Sequence, residues 1–503
     1  MADHSTKWIL WQRSDQKGDQ EQQARRRTGG TPLWERPGEE PPQPEPPREE
    51  PPRPPASDPR VPPVAGLPAH RASHPPARAP LTGIPGEHDL IRRIVADRDI
   101  SVQFQPIRDV VRDQVVAFEA LTRGPEGPLQ RPDRLFAAAR LAGLAGELDW
   151  ICRAEAFRQM LEAKLPPAVS LFVNVEPDSL IEPCPDDLLQ TVWDATARLR
   201  VLIDLTGRAL SQYPFEVLET VRRARAAGWG VAVGDVEFSA TGIALLPTLE
   251  PDVLKVSHGV LTVGAGFAVS AVTAVLSEVE QTGAMLLVER VEDEAARRIS
   301  RSVGASLHSG RLFGYPDKLP ARLPIPVAPV RLKEVDHTDQ GEHITPWKVL
   351  AERGAHVAAG VTLAESDNMV RIFATQAASA ANPPVVGMLV PDAEEVSEQT
   401  RLSFQMMLGR CPLVLVTGQE VSRFEDWRVR AAELPPDHHL LGEFCIVALS
   451  PTESMALVAR RAHGLEVTVD LAISQQPAAC RELMRLITDT LDTAAGGVLH
   501  GRP

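Results

Sequence analysis

Six polar side chains lie at or near the ends of short apolar runs in the first part of this 503-residue chain. In chain order they are Glu119, Asn174, Asp204, Asp235, Lys255 and Glu289. Carboxylate and side-chain amide oxygens are the ligands that Mg²⁺, Mn²⁺ and Ca²⁺ prefer, and a lysine beside them can face a phosphate. The set therefore indicates metal-assisted phosphodiester chemistry or its remnant. The alternative is that each strand end is polar only because it meets solvent.

The elements that would position these residues alternate between strand and helix. The apolar runs that we interpret as strands are Val115–Leu121, Val169–Val175, Leu199–Leu205, Val231–Val233, Val253–Val256 and Met285–Val288. The helical stretches are Pro132–Ala142, Leu148–Ala163, Pro214–Ala227 and Val269–Gln281. This alternation predicts an α/β fold with a parallel sheet, and residues 88–323 are long enough for a TIM-like (β/α)8 barrel. Because the carboxyl ends of the strands share one face of such a barrel, the six polar side chains would converge on one pocket.

Composition and charge argue against several other classes of protein. The formal net charge of −14 makes a DNA or RNA duplex an unlikely partner. No apolar run approaches the ~20 residues that form a membrane span, and the start of the chain lacks the apolar core of a secretory signal. The 5 cysteines form no Cys-x-x-Cys pair, which argues against a structural zinc site. We therefore expect a cytoplasmic protein.

Proline separates the folded parts of the chain from a tail. Nineteen of the 46 prolines lie between residues 32 and 85, in a segment with few apolar residues to bury. We therefore predict a disordered, proline-rich tail over residues 1–86. The predicted parts that follow are the barrel over 87–323, a linker over 324–343, a second domain over 344–495 and a C-terminal tail over 496–503.

The first folded part contains motifs in the order of a known family. Phe104-Gln105-Pro106-Ile107 and Phe118-Glu119-Ala120-Leu121-Thr122-Arg123 resemble the opening of an EAL domain, a family of bacterial phosphodiesterases for cyclic di-GMP. The later motifs are Leu148-Asp149-Trp150, Phe172–Val175, Leu202–Thr206, Asp252–Val256, Val288–Glu292 and Gly310–Pro316. The resemblance covers residues 87–323 and implies a TIM-like barrel of the EAL type.

The resemblance also implies roles for individual residues. The remnant of a site for Mg²⁺ or Mn²⁺ would consist of Glu119, Asn174, Asp204 and Asp235. The remnant of the catalytic set would consist of Lys255 and Glu289. The residues that would contact cyclic di-GMP are Gln105, Arg123 and Asp149, with the arginine at a phosphate.

This sequence departs from the family at several metal-binding positions. Gly234 replaces the first residue of the family's Asp-Asp pair, and Ser257 replaces the aspartate of its Leu-Lys-Ile-Asp motif. Asp204 shortens a glutamate, and Gly207 replaces another. Two divalent ions close together need several anionic ligands, so the affinity for metal should be weak. We therefore expect a degenerate EAL domain with little or no phosphodiesterase activity.

The second domain shows a mixed pattern of strands and helices. Its predicted strands are Val385–Val390, Leu413–Thr417, Phe444–Leu449, Met455–Val458 and Leu465–Ile473, and its predicted helices are Ser397–Leu408 and Pro477–Thr493. This pattern predicts an α/β domain with antiparallel strand pairing near its end. The domain resembles the DICT domain, a bacterial sensory module, over Phe404-Gln405, Pro412–Gly418, Leu434–Pro436, Leu441–Phe444 and Ala456–Arg460. The resemblance implies a sensory role and identifies no binding residues.

Three functions stay open for the barrel of such a bacterial signalling protein. It can be a receptor that binds cyclic di-GMP through Arg123 without hydrolysis, or a scaffold for a protein partner. The third alternative is an active phosphodiesterase, which hydrolyses cyclic di-GMP to pGpG with an altered metal site. The changed segment Gly234–Ser239 corresponds to a region near the dimer interface of the family, so a homodimer is one candidate assembly.

Overall fold

The computed structural model describes most of the chain after residue 86. The described residues are 87–493 without 181, 236–238, 263–266, 334–343, 395, 425, 427 and 463–467. They belong to one compact unit. The predicted tails over 1–86 and 496–503, and half of the predicted linker, lie outside the described residues. Within the described part, no helix is long and apolar enough to cross a membrane.

The first part of the described chain is a closed barrel of eight strands. The strands are β1 (Ser101–Asp109), β2 (Val115–Arg123), β3 (Ser170–Val175), β4 (Arg200–Thr206), β5 (Gly230–Gly234), β6 (Val253–Ser257), β7 (Met285–Glu289) and β8 (Leu307–His308). The helices are α1 (Glu87–Asp97), α2 (Pro132–Ala142), α3 (Ala145–Ala163), α4 (Leu189–Arg198), α5 (Gly207–Gln212), α6 (Pro214–Ala226), α7 (Ala240–Leu249), α8 (His258–Thr262), α9 (Phe267–Thr282) and α10 (Glu294–Ser302). Single 3-10 turns cover Pro177–Ser179 and Asp186–Leu188.

The barrel predicted from the sequence is confirmed, with one strand of opposite direction. Strands β2 to β8 run parallel, whereas β1 pairs antiparallel with both β2 and β8. The sequence pattern does not predict β1 as a strand. Its residues alternate between polar and apolar types and include Pro106, so they form no continuous apolar run.

Inside the barrel, a layer of apolar side chains lies next to the polar set. The buried interior cluster includes Ala117, Phe172, Leu202, Ala232, Val253 and Leu287. Two residues further along the same strands come Glu119, Asn174, Asp204, Gly234, Lys255 and Glu289. Because alternate residues of a strand point to the same side, these positions face the barrel interior one layer closer to the carboxyl ends.

The described part of the predicted linker packs against the other end of the barrel. The Val330 side chain is fully buried in the same interior cluster. Arg200 Nη2 donates to the Val330 carbonyl oxygen at 2.7 Å, and Lys333 N donates to Asp252 Oδ1 at 2.6 Å. Arg200 begins β4 and Asp252 precedes β6, so this segment closes the amino-terminal end of the barrel. It is extended, as the sequence predicts, but it is not a free spacer.

The second domain is a seven-stranded sheet with helices on its faces. Its strands are β9 (His356–Thr362), β10 (Val385–Val390), β11 (Val414–Gly418), β12 (Val429–Glu433), β13 (Glu443–Leu449), β14 (Ser454–Arg461) and β15 (Thr468–Ser474). Its helices are α11 (Pro346–Glu352), α12 (Leu363–Ser379), α13 (Glu398–Leu408) and α14 (Pro477–Thr493), with 3-10 turns at Val421–Arg423 and His439–Gly442. The strand order is β12-β11-β10-β13-β14-β15-β9.

The predicted α/β character of this domain and its antiparallel end are confirmed. Strands β10, β11 and β12 are parallel, and β13, β14 and β15 pair antiparallel. The elements that the sequence pattern does not predict are β9, β12, α11 and α12. Every residue of β9 is exposed or half-buried, so this edge strand lacks the buried apolar face that identifies a strand in a sequence.

Candidate functional site

Lys255 lies at the centre of three carboxylates in the barrel interior. Its Nζ atom donates to Glu119 Oε1 at 3.1 Å and to Asp204 Oδ2, and it lies 2.8 Å from Glu289 Oε1. These residues come from strands β6, β2, β4 and β7, so the closure of the barrel brings them together. An ammonium group has three N–H donors, which matches the three carboxylate partners. We call these four residues the lysine cluster.

Burial and charge act in opposite directions within the lysine cluster. Burial by itself would lower the pKa of Lys255, but the attraction of Asp204, Glu119 and Glu289 raises it well above its ordinary value. The lysine therefore stays charged. Burial raises the pKa of Glu119 from 4.5 to about 7 against the opposing effect of Lys255, while Glu289 and Asp204 raise it further. Burial also raises the pKa of Asp204. One ammonium therefore does not fully balance the two buried carboxylates and the half-buried Glu289.

Gly234 leaves a gap in the side chains around the cluster. A Cβ atom at this position would lie 3.5 Å from Lys255 Cβ and 3.8 Å from Asp204 Oδ1. These are ordinary van der Waals distances, so a side chain at 234 would point toward the cluster without a clash. Ser257 lies beside Glu289 in the pairing of β6 with β7. Gly234 and Ser257 thus both border the cluster, and neither carries a carboxylate.

The remaining two residues of the predicted metal set lie beside the cluster. Asn174 is next to Asp204 in the pairing of β3 with β4, and its Nδ2 atom donates to the Ala120 carbonyl oxygen at 3.3 Å. Asp235 follows β5 in an exposed position with a φ of 55°. Although the Asp235 side chain is exposed, partial desolvation by the surrounding protein and the charge of Glu289 raise its pKa. Asp235 is therefore electrostatically close to the cluster but is not one of the three carboxylates that contact Lys255.

Two of the three predicted ligand contacts lie on the same side of the barrel as the cluster. Gln105 pairs directly with Glu119 between β1 and β2. Arg123 ends β2, and its Nη1 atom donates to the Thr122 carbonyl oxygen at 2.9 Å. Burial lowers the pKa of Arg123. The arginine lines a cleft of about 740 Å³ together with Gln103, Gly124 and Arg131.

Asp149 lies within the packing of the barrel. It is on α3, it is 2% exposed, and its Oδ2 atom lies 2.9 Å from Arg153 Nη2. The Arg153 guanidinium stacks over the Trp150 ring at 3.7 Å. Burial raises the pKa of Asp149 against the attraction of Arg153. This internal ion pair accounts for the burial of the aspartate, and its contact with a ligand stays a prediction.

The carboxylates of this site do not fit a pair of divalent metal ions. Glu119, Asp204 and Glu289 all contact one ammonium group, and a cation placed between them would be repelled by that charge. Glycine and serine stand at two of the positions where further carboxylates would be needed. In the part of the chain that the structure describes, no group of three histidine, cysteine, aspartate or glutamate side chains is arranged to hold a metal.

The spacing of the sequence predicts that the polar residues converge, but not how they bond. Each member of the lysine cluster follows a buried interior residue by two positions, and this offset is the signal that places it inside the barrel. Gly234 follows the interior residue Ala232 by two positions and faces the cluster, whereas Asp235 follows it by three and does not. The triple contact of Lys255 depends on the closure of the barrel and has no signal in the sequence.

The barrel segment matches a known family. Residues 88–316 match the EAL domain, so this part of the chain is similar to that family. The uncharacterised protein y4lL of Sinorhizobium fredii is 28% identical over 241 residues, which cover 46% of this chain and 28% of that protein. The probable cyclic di-GMP phosphodiesterase PdeB of Escherichia coli is 25% identical over 182 residues, which cover 35% of each chain. The chain thus spans about a third of the length of these curated relatives.

Two solved structures are also similar to part of this chain. A manganese and cyclic di-GMP complex of BlrP1 from Klebsiella pneumoniae is 26% identical with a TM-score of 0.38, over 44% of this chain and 56% of that chain. The FimX EAL domain from Pseudomonas aeruginosa bound to c-di-GMP is 19% identical with a TM-score of 0.41, over 48% of this chain and 100% of that chain.

Proposed function

We propose that the EAL domain of residues 88–316 binds cyclic di-GMP without hydrolysing it, as the receptor part of a bacterial signalling protein. The observation that carries this proposal is the lysine cluster, in which Lys255 contacts the carboxylates of Glu119, Asp204 and Glu289. A charged ammonium supplies positive charge but no metal-activated hydroxide. Without such a nucleophile, a phosphodiester is attacked very slowly near neutral pH.

The two missing carboxylates support the same conclusion. Metal ions would have to displace Lys255 from its partners and would then find Gly234 and Ser257 where further anionic ligands are needed. Two close divalent ions depend on several anionic ligands for their affinity. Mg²⁺ or Mn²⁺ should therefore bind weakly, and ligand binding should not depend on either ion.

The cleft beside Arg123 supports binding. Its volume of about 740 Å³ is in the range of sites for small molecules. A guanidinium group has five N–H donors in a planar fork that suits phosphate oxygens, and Nη1 of Arg123 supplies one of them to Thr122. These free donors support a role for the arginine in binding a phosphate at the carboxyl end of β2.

The test is calorimetry of the full-length protein with cyclic di-GMP, first in EDTA and then in Mg²⁺ or Mn²⁺, followed by chromatography for pGpG. Binding in EDTA without product is the expected result. Arg123→Ala should weaken binding at least about tenfold. Arg131→Ala is the matched control, because Arg131 lines the same cleft but pairs with Asp133 at an exposed position. It should have a smaller effect.

The other results each identify one of the alternative functions. Product that forms only with metal and disappears in Glu119→Ala would show an active phosphodiesterase and would contradict the proposal. No binding under any condition would leave the barrel as a scaffold for a protein partner. These results separate hydrolysis, binding and scaffolding in a single set of samples.

A further inference from the structure

Helices α12 and α13 cover the face of the second sheet that is turned away from the barrel. Buried residues of these helices, among them Phe373 and Met407, pack in one cluster with Met388 of β10. Helix α14 covers the opposite face, where Ile487 lies next to Gly387. Neighbouring residues of a strand point to opposite faces, which separates Met388 from Gly387. Because α14 also packs against α7 of the barrel, the outer side of α12 and α13 faces away from the barrel.

Four exposed residues form a stripe along the outer side of α13. Glu398, Leu402, Met406 and Arg410 are spaced four positions apart. The first three belong to the helix, and Gly409 continues its helical backbone toward Arg410 with φ −66° and ψ −20°. Residues four apart on a helix lie on the same side. Leu402 and Met406 are 51% and 42% exposed although both are apolar. We call these four residues the α13 stripe.

The two ends of the α13 stripe carry opposite charges. Glu398 is the first residue of the helix, and neither it nor Arg410 forms an ion pair with another residue that the structure describes. Arg410 Nε donates to the Ala378 carbonyl oxygen of α12 at 3.2 Å. A guanidinium has five N–H donors, so the others can still bind a carboxylate.

The α13 stripe is complementary to itself when a second copy runs in the opposite direction. A two-fold axis midway between Leu402 and Met406 brings each of them opposite the other in the second copy. The same axis brings Glu398 opposite Arg410 of the second copy at both ends of the contact. Opposite charges then pair at the ends and apolar side chains pack in the middle. A parallel arrangement would instead place like charges opposite each other, which is unfavourable.

Helix α12 widens this face of the domain. It runs alongside α13, because Asp367 Oδ1 accepts from Ser397 Oγ at 2.8 Å and, farther along, Thr375 Oγ1 donates to Met406 Sδ at 3.9 Å. Ile372 lies one turn before Thr375 on the same side of α12 and is 44% exposed. Ile372 therefore adds to the apolar centre of the face, beside the middle of the α13 stripe.

We propose that two copies of this chain pair through the α13 stripe, in opposite directions about a two-fold axis. Charge complementarity selects a second copy as the occupant, since the same four residues supply both halves of the contact. Two helices side by side offer a face of about 25 Å by 20 Å, or about 500 Å² per copy. Faces of this size give weak, reversible complexes, so the dissociation constant should be micromolar. The pairing needs neither cyclic di-GMP nor the lysine cluster and is independent of the proposed function.

The test is sedimentation velocity of the full-length protein at concentrations from about 1 to 200 µM. Wild type should change from monomer to dimer over this range. Leu402→Arg should raise the dissociation constant at least about tenfold, because it places an unpaired charge in the apolar centre. Ile325→Arg is the matched control, since Ile325 is 72% exposed on the segment after the barrel. It should leave the equilibrium unchanged.

Exchanging the charges of the α13 stripe tests the direction of pairing. Arg410→Glu places two acidic groups opposite each other and should weaken the dimer about tenfold. Adding Glu398→Arg to the same chain exchanges the two ends and should restore the dissociation constant to within about threefold of wild type. A double variant as weak as Arg410→Glu alone would overturn the antiparallel contact.

Two further results would overturn the proposal as a whole. A dimer that is insensitive to both Leu402→Arg and Arg410→Glu forms through another surface, such as the barrel. A protein that stays monomeric at every concentration does not pair through this face, which would then be left for a different partner or for residues 1–86.

Discussion

The Glu119 carboxyl should make the stability of the protein depend on pH. Burial raises its pKa from 4.5 to about 7, so the folded protein keeps a proton that the unfolded chain has released. This contribution to stability is complete below pH 4.5 and is lost as the pH rises through 7. We expect wild type to lose about 3 kcal/mol relative to Glu119→Gln over this range. Urea denaturation of both proteins at several pH values measures the difference.

Glu147→Gln is the control for this prediction, because Glu147 is exposed on α3. Its urea denaturation at the same pH values controls for the loss of one carboxylate from the protein surface. A wild-type profile parallel to that of Glu119→Gln would show that the carboxyl titrates in the folded protein as it does in the unfolded chain. The burial of Glu119 against Lys255 would then not control its charge.

Carboxylates introduced at positions 234 and 257 should strengthen metal binding. Gly234→Asp and Ser257→Asp together place two anionic ligands beside Glu289 and Asp204, and a Cβ atom at 234 fits at ordinary contact distances. We expect calorimetry to show a gain of about tenfold or more in Mn²⁺ affinity over wild type. Asp235→Asn in the double variant tests whether the exposed carboxylate helps. An unchanged affinity would show that Lys255 alone keeps metal out.

The sequence predicts the positions of the site residues better than their bonds. Glu119, Asp204 and Glu289 can be placed in one pocket because each lies at or near the end of an apolar run on a parallel strand. The assignment of Lys255 as their shared partner cannot be made from the runs, because it depends on distances across the barrel. Local pattern fixes which way a side chain points, and only closure fixes which side chains meet.

At the scale of elements, the helices and strands that can be predicted from the sequence are those with a buried apolar face. Helix α2 and strand β10 coincide with their predicted bounds, Pro132–Ala142 and Val385–Val390, because each has a continuous apolar face or run. Strand β9 has no buried face, and β1 carries polar residues that line the barrel interior. Strand β9 therefore lacks a periodic apolar signal, whereas β1 has alternating apolar residues but no continuous apolar run.

The turn after β8 depends on one glycine. Gly310 has a φ of 142°, and a Cβ atom there would lie 2.3 Å from the Val291 carbonyl oxygen. We expect Gly310→Ala to lower the free energy of unfolding by at least ~3 kcal/mol, because the clash is with backbone that cannot move aside. Chemical denaturation of the purified variant measures this loss.

Gly304→Ala separates backbone strain from steric clash. Gly304 also has a positive φ, of 81°, but nothing lies within 4 Å of its Cβ position. It should cost only ~1 kcal/mol, the strain of a left-handed residue. Equal losses in the two variants would show that strain alone accounts for both glycines and that the contact with Val291 does not matter.

At the scale of the whole molecule, each domain buries apolar surface of the other. The apolar helix α7 is buried between them, and the segment that ends at Lys333 closes the barrel on its way to the second domain. A barrel that ends at residue 323 would expose both α7 and its own amino-terminal end to solvent. Composition identifies this segment as extended, but it does not show that one of its valines belongs to the barrel interior.

The same substitution to alanine should therefore have very different effects on stability at two valines of this segment. Val330 is 0% exposed within the interior cluster, whereas Val327 is 73% exposed. Val330→Ala should lower the free energy of unfolding by about 2 kcal/mol, through lost burial and the cavity left behind. Val327→Ala should change it by less than ~0.5 kcal/mol.

If the loss for Val330→Ala appears in a single transition seen by both far-UV circular dichroism and tryptophan fluorescence, the barrel and the second domain unfold together. Separate transitions would mean that the segment stabilises the barrel alone and that the contacts of α14 do not couple the folding of the two domains.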